Sequence, residues 1–322
     1  LQIAVKTLGI PTFLSGSARG LLGYDTLHIR HQRSKAIREA DVVLLAGVPC
    51  DFRLNYGRVI PKSATYISVN RSKTDLTMNR RPNVGVLADP GVFLRKLADA
   101  WSAPANQWSA WHETLLGRNS ARDDQIAENA QATTEYINPV DLCQQMEETV
   151  DKNSILIGDG GDFVATASYI VRPRGPLRWL DPGPFGTLGV GAGFALAAKL
   201  YQPEAEVWII YGDGSVGYSL TEFDTFARHN IPVIALVGTD ASWAQIARAQ
   251  VEIFDNAVAT ELARTPYHEV AEGYGGQGLF VQNSQDVVEC LQTAQAMAGA
   301  GKPVLINAWI GKTDFRKDSL SM

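Results

Sequence analysis

Glu206-Val207-Trp208-Ile209-Ile210-Tyr211-Gly212-Asp213-Gly214-Ser215, followed by Thr239-Asp240-Ala241-Ser242, is the stretch whose reading decides the fold. Positions 206–211 form an apolar run of strand length that stops at glycine. Positions 219–229 have helical character, and 232–237 form a second apolar run. A strand, a crossover helix and a second strand imply parallel pairing in an α/β sheet. An acidic residue follows each strand, and Asp213 and Asp240 lie 240 − 213 = 27 positions apart. In such a sheet the two βα turns present both carboxylates to the same small volume. Magnesium takes hard oxygen ligands, usually one or two carboxylates together with phosphate oxygens. Glycines on both sides of Asp213 let the backbone approach a phosphate closely, and the amides of Gly214 and Ser215 open a helix, where anions are attracted. Asp213, Asp240 and the backbone carbonyl of Ser242 are the expected metal ligands. A lone Gly-Asp-Gly would be only a turn; the helix, second strand and second acid set this one apart.

The same alternation extends outward. Strands are expected at 40–46, 64–69 and 83–87, with a short extended piece at 11–14 and a helix over 91–101 after Pro90. The chain start reads as the middle of a helix. Residues 103–137 are polar and are expected to be a linker, helical around 106–116. Asn138-Pro139 opens a fresh unit with an amphipathic helix over 140–150 and a strand at 154–157 that ends in Gly158-Asp159-Gly160-Gly161. A Gly-rich stretch, 183–193, runs into a small-residue helix over 192–200, and a last strand covers 303–309. The expected fold class is α/β: two doubly wound parallel-sheet domains, 1–102 and 138–322, joined by 103–137. Ligands of such sheets bind beyond the carboxyl ends of the strands.

The 322 residues exceed one comfortable core. A formal net charge of −5 supplies no basic field for phosphate backbones, so no nucleic acid is expected. Cys50, Cys143 and Cys290 lie far apart and read as reduced apolar residues. The five histidines show no metal spacing. No apolar stretch reaches the length that spans a bilayer.

The segment 212–243 resembles the diphosphate-binding motif of thiamine diphosphate enzymes: Gly-Asp-Gly, a βαβ unit, then Asn-Asn. Gly186-Thr187-Leu188-Gly189-Val190-Gly191 is similar to the Gly-x-Met-Gly-x-Gly segment of that family, and Gly158-Asp159-Gly160-Gly161-Asp162-Phe163 occupies the place of a loop lining the diphosphate. Leu8-Gly9-Ile10-Pro11, Ala18-Arg19-Gly20-Leu21-Leu22 and the stretch 40–57 resemble the central domain of the acetolactate synthase branch. The resemblance implies thiamine diphosphate and Mg2+ as cofactors. It implies cofactor contacts at Gly160, Gly161, Asp162, Gly212, Gly214, Ser215, Thr239, Ala241 and Trp243. Gly186 would give its carbonyl to the aminopyrimidine 4′-amino group, and Leu188 would prop the bent cofactor. The metal set is Asp213, Asp240 and Ser242.

Two departures stand out. Thr239-Asp240 replaces Asn-Asn, so the second metal ligand is a carboxylate. The family's activating glutamate belongs to an N-terminal pyrimidine-binding domain that this stretch does not contain, so no catalytic residue is expected here and that glutamate is expected upstream. Arg19 and the loop 47–53 sit where relatives in the family bind FAD or ADP in the central domain, but the first part lacks a Gly-x-Gly-x-x-Gly turn, and a vestigial or structural central domain is expected. The activity implied is a lyase that cleaves 2-hydroxyacyl-CoA to a fatty aldehyde and formyl-CoA, with acetolactate synthase-type carboligation of 2-oxo acids as the alternative. Implied partners are a small-molecule substrate, the missing pyrimidine-binding domain, and further copies of the chain in a homo-oligomer (dimer or tetramer). The implied location is intracellular, on the cytosolic face of the endoplasmic reticulum membrane, with any anchor upstream.

Overall fold

The computed structural model describes residues 1–104 and 107–317. The chain divides into two compact units: Leu1–Leu14 with Asp25–Asp123, and Ser15–Tyr24 with the chain from Asp124 onward. Each is an α/β unit with an all-parallel sheet.

The first unit carries three strands, β1 (Val42–Ala46), β2 (Thr65–Asn70) and β3 (Val84–Leu87), in that spatial order. Val43, Leu45, Tyr66 and Cys50 form one buried cluster with Ile37 and Ile60. The helix Pro90–Asp99 starts where Asp89 accepts the Val92 N–H and Pro90 fills the first turn. The extended piece expected at 11–14 is reduced to an isolated bridge between Thr12 and His28.

The stretch read as a linker is instead dominated by the helix Ser109–Ala130, 22 residues long. Its polar surface hides two apolar anchor points: Leu115 joins a cluster of the first unit and Ile126 one of the second. The start of the helical piece expected there, Asn106, lies outside the described residues.

In the second unit six parallel strands are ordered β5-β4-β6-β7-β9-β8, namely β4 (Ile155–Gly158), β5 (Trp179–Leu180), β6 (Val207–Gly212), β7 (Ile234–Thr239), β8 (Gln277–Val281) and β9 (Val304–Trp309). β6 and β7 are buried along their whole length, as parallel strands covered on both faces must be. Alternate residues separate onto the two faces: Trp208 and Ile210 pack with Val140, Met146 and Phe163, while Val207, Ile209 and Tyr211 pack with Ala192, Ala195 and Phe226. Each such aliphatic side chain contributes roughly 1.5–3 kcal/mol when fully buried.

The order also places the site. From β4 the chain goes to β5 on one side and then returns to β6 on the other. The strand order therefore reverses between β4 and β6, the point where open α/β sheets form a ligand crevice at their carboxyl edge. The ends of β4 and β6 are Gly158 and Gly212.

Candidate functional site

Two glycine turns meet in this crevice. The Gly212 N–H donates to the Gly160 carbonyl at 3.0 Å, and the Ser215 hydroxyl lies 2.9 Å from Gly160 O and 3.1 Å from Gly212 O. A Cβ on Gly161 would sit 3.4 Å from Gly212 Cα. Gly212 and Ser215 thus lock one turn against the other, and the buried Ser215 hydroxyl is spent on that lock.

Asp213 is 3% exposed. Its Oδ1 accepts the Gly214 N–H at 2.9 Å and its Oδ2 the Ala241 N–H at 2.7 Å, so the carboxylate bridges the ends of β6 and β7. Asp240 accepts the Ser242 N–H at 3.0 Å in a tight turn. That turn is clasped from outside: Trp243 N–H donates to Thr260 O, Leu262 N–H to Ala241 O, and the Ser242 hydroxyl to Thr260 O. Ala241 holds a left-handed backbone, φ +59°, which aims its N–H at Asp213.

Burial pushes the Asp213 carboxyl up to about 6. Burial, then the charges of Asp213 and Asp162, push Asp240 up to about 7. Both values exceed the 3.8 of a free carboxyl. The stability these groups contribute is therefore full below the unfolded value and lost as pH rises through 6 to 7. A divalent cation between the carboxylates reverses the penalty, and protons compete with it. Without metal, the melting temperature is expected to fall between about pH 4 and pH 7 more steeply than in Asp240→Asn. Mg2+ with inorganic diphosphate is expected to raise it more at pH 7.5 than at pH 5.5. Parallel pH profiles of wild type and Asp240→Asn would contradict the raised proton affinity of Asp240.

A second carboxylate shapes the neighbouring loop. Asp159, buried at the end of β4, accepts the N–H groups of Gly189 (3.0 Å) and Gly191 (2.7 Å) at the start of helix Val190–Tyr201. A Cβ on Gly191 would lie 2.9 Å from Asp159 Oδ2, so this close approach requires glycine. The loop before it presents Gly186, exposed with φ +61°, and Leu188. Leu188 lies directly over Gly160, where an added Cβ would come within 2.1 Å of Leu188 Cδ2. In the same way the Trp243 indole covers Gly214, with ring atoms 2.4–2.7 Å from the place of a Cβ. Sequence reasoning missed Asp159, because its partners lie 30 and 32 positions further along the chain.

Thr239 does not reach the crevice. It is the last residue of β7, fully buried, and its hydroxyl donates to Asn307 Oδ1 at 2.7 Å while its carbonyl accepts from Arg264. The strand was expected to end at 237. Pairing with β9 continues to Thr239 opposite Trp309, which leaves Asp240 as the first residue beyond the ladder. Asp162 begins the helix Asp162–Ile170 and pairs with Arg248 at 2.7 Å. Together with Asp240, Ser242, Thr166 and Lys312 these two line a cavity of about 230 Å³.

The donor set suits a magnesium–diphosphate unit. Among the described residues no three His, Cys, Asp or Glu side chains gather as a metal cage. A buried and a half-buried carboxylate that repel one another favour a cation, and oxygen ligands from a phosphate and the backbone would complete the shell that Mg2+ prefers. Beside them lie the turns at Gly160 and Gly214, bare of Cβ and roofed by Leu188 and Trp243. Among the described residues no helix is long and apolar enough to cross a membrane.

Comparison with known proteins follows this geometry. Residues 159–308 match the family model "Thiamine pyrophosphate enzyme, C-terminal TPP binding domain", and residues 1–97 match "Thiamine pyrophosphate enzyme, central domain". A protein of Mus musculus named 2-hydroxyacyl-CoA lyase 2 is 51% identical over 331 residues, covering 100% of this chain and 52% of that protein. One of the same name from Caenorhabditis elegans is 45% identical over 330 residues, 99% of this chain and 52% of its own length. The acetolactate synthase large subunit IlvG of Mycobacterium tuberculosis is 33% identical over 307 residues, 94% of this chain and 55% of its own. The chain spans about half the length of the curated relatives it matches.

Proposed function

We propose, from the premise that this chain belongs to the thiamine pyrophosphate enzyme family, that it carries the diphosphate and magnesium half of a 2-hydroxyacyl-CoA lyase. Thiamine diphosphate with Mg2+ is the cofactor of this C-terminal domain; when bound it supplies the electron sink that C–C cleavage needs. The chain's own residues bind and orient. Asp213, Asp240 and the Ser242 backbone carbonyl hold the metal. Gly160, Gly161 and Gly214 bring bare backbone to the diphosphate, with Asp162, Ala241 and Trp243 beside it. Gly186 offers its carbonyl to the aminopyrimidine, and Leu188 supports the bend. Ser215 and Gly212 hold the turns together. The activating glutamate, a homo-oligomeric assembly and a place at the endoplasmic reticulum belong to the same proposal for the whole protein.

The reaction balances without oxidant or reductant: R–CH(OH)–CO–SCoA gives R–CHO and H–CO–SCoA. The bond between carbons 1 and 2 breaks, the hydroxyl carbon leaves as the aldehyde, and the thioester carbon takes up a proton. One observation carries this reading over the 2-oxo acid alternative. Identity reaches 51% across the whole chain with proteins named 2-hydroxyacyl-CoA lyase 2, and 33% with an acetolactate synthase subunit. The full-length protein with thiamine diphosphate and Mg2+ is expected to release fatty aldehyde and formyl-CoA from a long-chain 2-hydroxyacyl-CoA. Acetolactate from pyruvate, with no aldehyde from the thioester, would reverse the assignment.

A further inference from the structure

The loop that presents Gly186 and Leu188 has little packing of its own. Residues 183–187 are exposed, and Phe185 is 89% exposed. Its far end is pinned by Asp159 through Gly189 and Gly191. Its near end is pinned by another carboxylate, Asp181, whose Oδ1 accepts the Gly183 N–H at 2.9 Å. Asp181 Oδ2 in turn accepts the indole N–H of Trp179 at 2.8 Å. Trp179 is the edge strand's buried residue, 1% exposed, and Arg19 lies over its ring, with the guanidinium carbon 5.2 Å from the centroid.

Arg19 comes from a piece of chain far away in sequence. Residues 15–24 leave the first unit, which holds both their flanks, and pack in the second. The fit is tight. Gly20 has φ +82°, and a Cβ there would stand 2.2 Å from Gly175 O and 2.8 Å from Pro173 Cβ. Tyr24 donates to Glu147 at 2.9 Å, Arg174 pairs with Glu147 at 2.6 Å, and the Arg172 guanidinium lies 4.2 Å over the Tyr24 ring. Arg19 itself donates to the Ser168 carbonyl at 3.2 Å. The turn Gly16–Ala18 packs on the turn Gly183–Phe185.

We infer that residues 15–24 are a brace for the cofactor loop and that Arg19 is its positioning residue, acting through Trp179 and Asp181 on Gly183 and so on Gly186 and Leu188. Arg19 touches no reacting atom. The inference rests on the thiamine diphosphate reading above, since it is the ring end of that cofactor which the loop serves. The relay ends at Leu188, which lies over Gly160; the carboxylates Asp213 and Asp240 stand a further step away and are held by their own backbone hydrogen bonds.

The relay gives a ligand-specific signature in the full-length protein. Arg19→Met is expected to weaken thiamine diphosphate binding about tenfold, through loss of the half-buried cation–π contact with Trp179. Binding of inorganic diphosphate with Mg2+ should stay within about twofold of wild type, because Asp213 and Asp240 are held by the N–H groups of Gly214, Ala241 and Ser242 and not by the loop. Arg19→Lys keeps a cation over the indole and should recover most of the loss. Asp181→Asn, which leaves residues 15–24 intact, should repeat the selective loss and serves if Arg19→Met does not fold. Hydrogen exchange read without ligand should quicken at 183–188 in both variants and stay unchanged at 207–216. An equal loss for both ligands, or unaltered exchange at 183–188, would overturn the brace. Absence of magnesium-dependent cofactor binding in wild type would instead overturn the cofactor reading, and the exchange pattern would still decide the brace.

Discussion

Asp213→Asn is expected to lower magnesium-dependent thiamine diphosphate affinity by at least about 100-fold while the protein stays folded. Loss of groups that merely support a metal ligand costs 10–100-fold, and removing a ligand itself should cost no less. The geometry adds a second loss. Asp213 accepts one N–H on each oxygen, from Gly214 and Ala241, and an amide can accept on only one side. Its NH2 would face the Ala241 N–H, so the loop that carries Asp240 would be pushed from its place. Cys143→Ala is the matched control. Cys143 is a fully buried residue of the helix Pro139–Thr149, and its truncation costs stability of about 1 kcal/mol without touching the crevice. Titration calorimetry of both variants in the full-length protein checks this. Equal affinity in the two would defeat the assignment of Asp213.

Gly238→Ala is expected to be strongly destabilising for the second unit. Gly238 is the last residue but one of the fully buried β7, and a Cβ there would fall 2.4, 2.5 and 2.9 Å from three atoms of the Phe163 ring. Phe163 is itself 4% exposed and holds the helix Asp162–Ile170 against the sheet, so the ring cannot swing into solvent. Overpacking of this kind costs 1–3 kcal/mol, and three clashing atoms of a rigid ring place it at about 3. The melting temperature should then drop by roughly 6–12 °C. Because the displaced helix begins at Asp162, beside the Gly160-Gly161 turn, cofactor affinity should fall as well. Gly299→Ala, at the end of the helix Val287–Gly299 with open space around it, should be close to neutral. A Gly238→Ala protein as stable as wild type would mean that Phe163 does not pack there.

Much of this was legible in the sequence, for physical reasons. A strand buried on both faces must be apolar throughout, so 206–211 and 232–237 announced themselves, and parallel pairing then forced both acids to one sheet edge. What stayed hidden depends on distance along the chain or on weak signals. Asp159 looks like a turn residue until Gly189 and Gly191 fold back onto it. Arg19 looks like part of the first domain until residues 15–24 are seen packed in the second. The edge strand Gln277–Val281 is only partly buried, and Ser109–Ala130 is polar over most of its surface, so neither carries a strong hydrophobic pattern. Thr239 was placed one step too far into the site because Pro232, which has no N–H to donate, marks the approach to β7 but says nothing of where its ladder ends.

Asp213 and Asp240 are proposed to form a magnesium-dependent seat for thiamine diphosphate. Titrating thiamine diphosphate into the full-length protein at pH 7.5, once with Mg2+ and once with a chelator, asks this directly. The expected result is saturable binding that requires Mg2+, with more protons released when the titration is repeated at pH 6, where the raised carboxyls still hold protons to give up to the metal. Binding of equal strength in the chelator, or none in either buffer, would contradict it.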